Sequence, residues 1–182
     1  HITVDRAGGL YAKLQQEDTD RLTGDEDGGV RPAILFLKDA LWRFDDTRWV
    51  QIPMPDGRIS TIEAGAPGVL WAARYSPGLE ILRFENDRWR TVASLTDGKQ
   101  AASVRLSSDD EGRLFVADYI SPPKGATPSP GGESRLWVLT GSTLTRQTLP
   151  PVATRTMISG LSVTDDGAEW LVAGATVYRG TC

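Results

Sequence analysis

One segment of this chain repeats at a spacing of 40 residues, and that spacing restricts the available folds more than any other feature. Leu41-Trp42-Arg43-Phe44-Asp45-Asp46-Thr47-Arg48-Trp49 is echoed by Leu82-Arg83-Phe84-Glu85-Asn86-Asp87-Arg88-Trp89. Each copy reads as a strand, a tight polar turn and a second strand. Asp45-Asp46-Thr47 and Glu85-Asn86-Asp87 supply side chains that bond the turn backbone. Looser copies follow at Arg135-Leu136-Trp137-Val138 and Thr176-Val177-Tyr178-Arg179.

A second element recurs upstream of each copy. Gly68-Val69-Leu70-Trp71, Gly112-Arg113-Leu114-Phe115 and Gly167-Ala168-Glu169-Trp170 each place an aromatic three residues after a glycine, and Gly8-Gly9-Leu10-Tyr11 is a related copy. Acidic turns precede two of them, Ser108-Asp109-Asp110-Glu111 and Thr164-Asp165-Asp166. Glycine permits the positive φ of such a turn, and the aromatic after it seats between neighbouring sheets.

Ordered along the chain, these pieces give units of some 40 residues built from four short strands, the signature of propeller blades. The clearest unit has strands at about 57–63, 68–74, 80–85 and 88–93. The next has 101–107, 112–119, 134–140 and 143–149, and the last 157–163, 169–173 and 175–179. The fold class read from this is all-β, a β-propeller of four-stranded antiparallel blades, with about four blades in a single domain over 1–182. The blades fall at about 9–53, 57–93, 101–149 and 157–182, the first using strands 9–15, 33–38, 40–45 and 48–53. Residues 1–5 are expected to close the ring as the fourth strand of the last blade. The competing arrangement pairs Ile2–Leu14 within an earlier, incomplete blade, and a ring completed by a partner chain stays open.

Asp-Asp-Gly, then an aromatic, then Leu-x-Arg-Phe-Asp resembles the propeller repeats of two-component-regulator sensor domains. Ser108-x-Asp110-x-Gly112-x-x-Phe115 is similar to the Asp-box of sialidase-like propellers, and Asp165-x-Gly167-x-x-Trp170 fits it in part. Ala66 stands where the Asp belongs in the Gly68 copy. The resemblance covers roughly 33–180 and implies the architecture. It does not imply an activity, because Asp-boxes are structural turns in families of many functions.

Composition narrows the function classes. A net charge of −4 lacks the basic excess of a nucleic-acid surface. Cys182 is the sole cysteine, so no intrachain disulfide and no cysteine metal site forms. His1 is the sole histidine, which removes histidine triads and histidine metal centres; no catalytic residue, metal ligand or cofactor is assigned. No apolar run reaches the roughly 18 residues of a membrane span. The start at His1 rather than Met reads as a processed product, and with the resemblance it points to an extracytoplasmic, periplasmic or secreted, location.

Loops from second to third strands and loops between blades share one face in this topology. That face carries Arg74, Tyr75, Asp118 and Tyr119 at strand ends, a candidate polar cup for a sugar or small polar ligand. It also carries the Pro- and Gly-rich insertion Ser121–Glu133, which reads as a surface excursion. The acidic stretch Glu17–Asp27 fails the EF-hand spacing and reads as a solvated loop rather than a calcium site. Most of the six tryptophans read as packing between blades. The functional expectation is a non-catalytic binding propeller, a protein-interaction or sensor-type module and a possible assembly subunit. The alternatives are a carbohydrate-binding lectin and a sialidase-like glycoside hydrolase.

Overall fold

The structure is a computed structural model that describes residues 2–4, 10–17, 37–45, 47–76, 78–122, 132–164 and 168–181. Sheet 1 contains β1 (Ile2–Val4), β2 (Leu10–Glu17), β3 (Leu37–Asp45) and β4 (Arg48–Ile52). Sheet 2 contains β5 (Arg58–Ala64), β6 (Leu70–Ser76), β7 (Gly78–Glu85) and β8 (Arg88–Leu95). Sheet 3 contains β9 (Ala101–Ser108), β10 (Leu114–Ile120), β11 (Glu133–Thr140) and β12 (Thr143–Gln147). A helical turn, α1 (Pro151–Thr154), leads to sheet 4, formed by β13 (Ile158–Val163), β14 (Ala168–Ala173) and β15 (Thr176–Thr181). Every pairing is antiparallel and every sheet keeps chain order, as blades do.

The turns form where the residues permit left-handed backbone. Asn86 and Asp87, with φ of 52° and 58°, make the two-residue turn between β7 and β8, a conformation these short polar side chains tolerate. Gly68 and Gly112 have φ of +73° and +78°, the positions at which the repeat demands glycine. At the second of these turns Asp109 accepts from the Arg113 backbone N–H at 2.8 Å and from its Nε at 2.5 Å.

Strand alternation then decides what packs on what. In β6, Leu70 and Ala72 face sheet 1 and join Tyr11, Leu41, Ile52, Leu82 and Phe84 in one core. Trp71 and Ala73 point the other way and join Ile81, Val104, Leu114, Val116 and Leu139 between sheets 2 and 3. Ala117 and Leu136 of sheet 3 meet Ile158, Leu171 and Ala173 of sheet 4 in a third core. Sheets 2 and 3 are therefore apolar on both faces. The first strands lie side by side in the order β1, β5, β9, β13. Serines tie them together: Ser108 Oγ donates to the Ala64 carbonyl at 3.3 Å, and the Val163 N–H donates to Ser107 Oγ at 3.1 Å. Face-to-face antiparallel sheets with their first strands gathered on one side are the arrangement of a β-propeller.

The first blade departs from the expected boundaries. Ile2–Val4 pairs with Leu10–Ala12 inside sheet 1, and sheet 4 has three strands among the described residues. Only five residues separate β1 from β2, so local closure is entropically cheaper than reaching the far end of the chain. Two strands had been expected over 33–38 and 40–45. Residues 33–36 lie outside the described residues, and Leu37–Asp45 is one strand. The polar pair Lys38-Asp39 breaks the apolar pattern there without breaking the ladder. The acidic stretch beyond Glu17, most of the 121–133 insertion, and Asp165–Gly167 also lie outside the described residues.

Phe115 is fully buried, whereas its repeat equivalent Trp170 is 38% exposed. Phe115→Ala should cost about 3–5 kcal/mol in urea denaturation of dilute protein, and Trp170→Ala less than about 1 kcal/mol. Equal costs would contradict the stacking order.

Candidate functional site

The four candidate residues do lie near the same ends of β6 and β10, but alternation turns them to different faces. Arg74 is on the sheet 1 side. It binds Glu80 Oε2 through Nε at 2.8 Å and Nη2 at 2.5 Å, and donates to the Asp56 carbonyl at 2.9 Å. Tyr75 packs against the core between sheets 2 and 3, and its buried hydroxyl has no hydrogen-bond partner among the described residues. Asp118 faces that same joint. Tyr119 alternates toward sheet 4, its ring lying where a side chain at Gly132 would stand. The structure thus brings Tyr75 and Asp118 to one joint and leaves Arg74 and Tyr119 on either side of it.

Asp118 is the anchor of a larger polar group. It is 1% exposed and sits directly across the ladder from Arg135, which is 2% exposed. Arg135 Nε lies 3.0 and 3.2 Å from the two Asp118 carboxylate oxygens, and Nη2 also donates to that carboxylate. Arg135 Nη1 reaches Asp97, in the connector from sheet 2 to sheet 3. The Trp137 indole N–H donates to Asp118 Oδ1 at 3.3 Å. The Trp137 ring lies 5.4 Å from the Arg135 guanidinium and 5.8 Å from that of Arg146. Glu133 takes Lys99 Nζ at 2.7 Å and Arg146 Nη2 at 2.7 Å.

These pairings set the charge states. Burial acts to raise the Asp97 carboxyl, but hydrogen bonds from the Lys99 backbone and from Arg135 outweigh it and hold it below the usual range. Hydrogen bonds from Lys99 and Arg146 hold Glu133 below its ordinary value. Burial pushes Arg135 down, yet its two carboxylates overcome this and raise it. Glu63 behaves oppositely: half-buried on β5 across from Trp71, it is pushed up to about 7 by burial. Beside the charged group, Ser134, Arg135, Arg146, Gln147, Thr148, Leu149 and Thr154 line a cleft of about 330 Å³. Ser134 fixes one wall by donating to the Thr156 carbonyl at 2.6 Å. The cleft is large enough for a few polar side chains or a small ligand, and the rim cation Arg146 is half-exposed. Among the described residues no group of three or more His, Cys, Asp or Glu could hold a metal ion, and no helix is long and apolar enough to cross a membrane.

Of this polar group the sequence reading names Asp118 as a candidate, and Arg135, Asp97, Glu133, Lys99, Arg146 and Trp137 join it only in the structure. Opposite charges directly across the second and third strands were the available signal. The register that reveals them was hidden by the insertion between those strands.

Fold and site together define a β-propeller of antiparallel blades. No protein-family model matches the chain, and no curated protein matches it. Solved structures similar to it include those of three other proteins. YCF48 bound to D1 peptide has 13% identity and a TM-score of 0.47, covering 78% of this chain and 44% of that one. A candidate glycosidase from Bacteroides thetaiotaomicron has 11% identity and a TM-score of 0.46, covering 98% and 65%. An Aleuria aurantia lectin in complex with Fucα1-6GlcNAc has 13% identity and a TM-score of 0.47, covering 98% and 62%. The chain therefore spans about half to two thirds of the length of these structures.

Removing one partner of the buried pair leaves the other uncompensated. Asp118→Asn should lower stability by about 3–5 kcal/mol in urea unfolding, whereas a loss under about 1 kcal/mol would show the pair to be dispensable. Glu63 keeps its proton to about pH 7 when folded but releases it near 4.5 when unfolded. Its contribution is complete below pH 4.5 and lost as pH rises through 7. Glu63→Gln should therefore gain on the order of 2 kcal/mol relative to the parent protein at pH 8 and little at pH 4, read from melts across pH.

Proposed function

We propose that residues 1–182 form a single non-catalytic binding propeller, a protein-interaction or sensor-type module used outside the cytoplasm. Its ligand, a peptide segment of a partner protein, enters the cleft beside sheet 3. The observation that carries this reading is how the carboxylates of that face are committed. Asp118 lies in a buried bidentate pair with Arg135, and Asp97 and Glu133 are each held by two neighbouring residues. A glycoside hydrolase needs a carboxylic acid that keeps its proton near neutral pH beside a second carboxylate, and Glu63, the carboxyl that burial raises to about 7, does not line this cleft. Asp118 in its ion pair, and Asp97 and Glu133 held low by their partners, serve as scaffold instead. They stiffen the cleft and leave the Thr148 hydroxyl and the Gln147 amide, beside the half-exposed Arg146 guanidinium that Glu133 holds, to meet a ligand. We further assign the Ser108–Phe115 turn as an Asp-box with a structural role, in keeping with sensor-type repeats.

Arg146 is the substitution that separates the outcomes, because its side chain is half-exposed and its change should leave the fold intact. On arrays of peptides and of glycans, retention on a set of peptides is expected, with about tenfold weaker binding for Arg146→Glu, equivalent to about 1.4 kcal/mol. Chromogenic glycosides should show no turnover. Retention on glycans alone would convert the reading to a lectin, and turnover of any glycoside would end it.

A further inference from the structure

The cleft beside sheet 3 exists because the outermost strand of that sheet stops early. In sheet 2, β8 follows β7 as far as Leu79, which stands opposite Leu95, so the outer strand runs almost the full length of its neighbour. In sheet 3, β12 ends at Gln147, opposite Leu136, and Glu133–Arg135 at the start of β11 have no partner in β12. The chain turns away there through Thr148 and Leu149 toward α1, and the cleft opens in the gap. Strand alternation sets what borders it. Glu133, Arg135 and Trp137 share one face of β11, and Arg146 stands across the ladder from Trp137 on that same face.

The charges around this gap are uneven. Two of the residues that line it are arginines, and none is an Asp or Glu. Arg135 is buried and engaged by Asp118 and Asp97. Arg146 is half-exposed and only partly engaged. Its Nη2 donates to Glu133 Oε1 at 2.7 Å, and its Nε and Nη1 have no hydrogen-bond partner among the described residues. Glu133 is itself shared, because Lys99 Nζ donates to its other oxygen at 2.7 Å. Arg155, which is exposed, follows Thr154 of the cleft wall. Lys99, Arg135, Arg146 and Arg155 thus outnumber Asp97, Asp118 and Glu133, in a chain whose net charge is −4.

We propose that the peptide taken by this cleft is an acidic one, and that an Asp or Glu side chain of it docks on the Nε and Nη1 donors of Arg146. The proposal rests on the peptide-binding reading above and adds the chemistry of the ligand. Charge complementarity selects the occupant: a planar guanidinium offers five N–H donors in a fixed fork, and Glu133 takes only one corner of it. Glu133 also holds the fork in place, so little side-chain freedom is left to lose when a second carboxylate arrives. Thr148 and Gln147 stand beside it with a hydroxyl and an amide for the peptide backbone.

Peptides acetylated and amidated at their ends, so that only a side chain can bring a carboxylate, test this by titration after selection on an array. Peptides retained by the parent chain should contain Asp or Glu, and changing that residue to Asn or Gln should weaken binding about tenfold. Added salt should weaken the acidic peptides and leave their amides unchanged. Arg146→Gln, with circular dichroism confirming its fold, should erase the difference between each acidic peptide and its amide. Should that variant fail to fold, Arg155→Gln, outside the Glu133 pair, should shrink the same difference by about threefold. Peptides that lose nothing when their acidic residues become amides, or an acid preference untouched by Arg146→Gln, would overturn the proposal and leave the peptide-binding reading standing. Retention of no peptide at all would end both.

Discussion

The constraint on which this structure depends is that a four-stranded antiparallel sheet with apolar residues on both faces cannot stand alone. Sheet 2 places Leu70, Ala72, Leu82 and Phe84 on one side and Trp71, Ala73 and Ile81 on the other, with no polar face to offer water. It is stable only between two other sheets. Burying a large aliphatic or aromatic side chain contributes roughly 1.5–3 kcal/mol, so the eight such residues buried between sheets 1 and 2 outweigh any hairpin's own stability. The repeat follows from this: each blade must present the same two faces because each is both a floor and a ceiling.

That logic explains what was legible in the sequence. The glycine-aromatic spacing marked β6, β10 and β14, because the turn glycine and the residue buried after it are both chemically distinctive. The Arg-Phe…Trp pattern marked the third and fourth strands of sheets 1 and 2, with the Asn86-Asp87 turn between them. The first blade was harder. Lys38-Asp39 breaks the apolar pattern of β3, and three residues of β1 carry too little pattern to announce their partner, so the strand at 2–4 reads either as a closing strand of the last blade or as a partner of the strand after it, the pairing observed. Period and turn chemistry identify blades, whereas register across a long insertion is decided by tertiary pairing.

The candidate site was legible only in part for the same reason. Strand ends near residues 75 and 118 could be located, but adjacent residues on a strand face opposite ways, which divides Arg74 from Tyr75 and Asp118 from Tyr119. What gathers instead is a network drawn from β10, β11, β12 and the connector before β9: Asp118, Arg135, Asp97, Trp137, Glu133, Lys99 and Arg146. Its buried half fastens the connector between sheets 2 and 3, and its exposed half forms the rim of the cleft. Rigidity and recognition are thereby placed side by side.

A double-mutant cycle across one joint probes the stacking of blades most directly. Ile81 and Val104 are both fully buried and share the core between sheets 2 and 3, whereas Leu41, at the repeat position of Ile81, belongs to a different core. Stability losses for Ile81→Ala and Val104→Ala should be coupled by about 0.5 kcal/mol or more, and those for Ile81→Ala and Leu41→Ala should add within about 0.5 kcal/mol. Additivity in the first pair together with coupling in the second would mean that the repeats do not stack in this order.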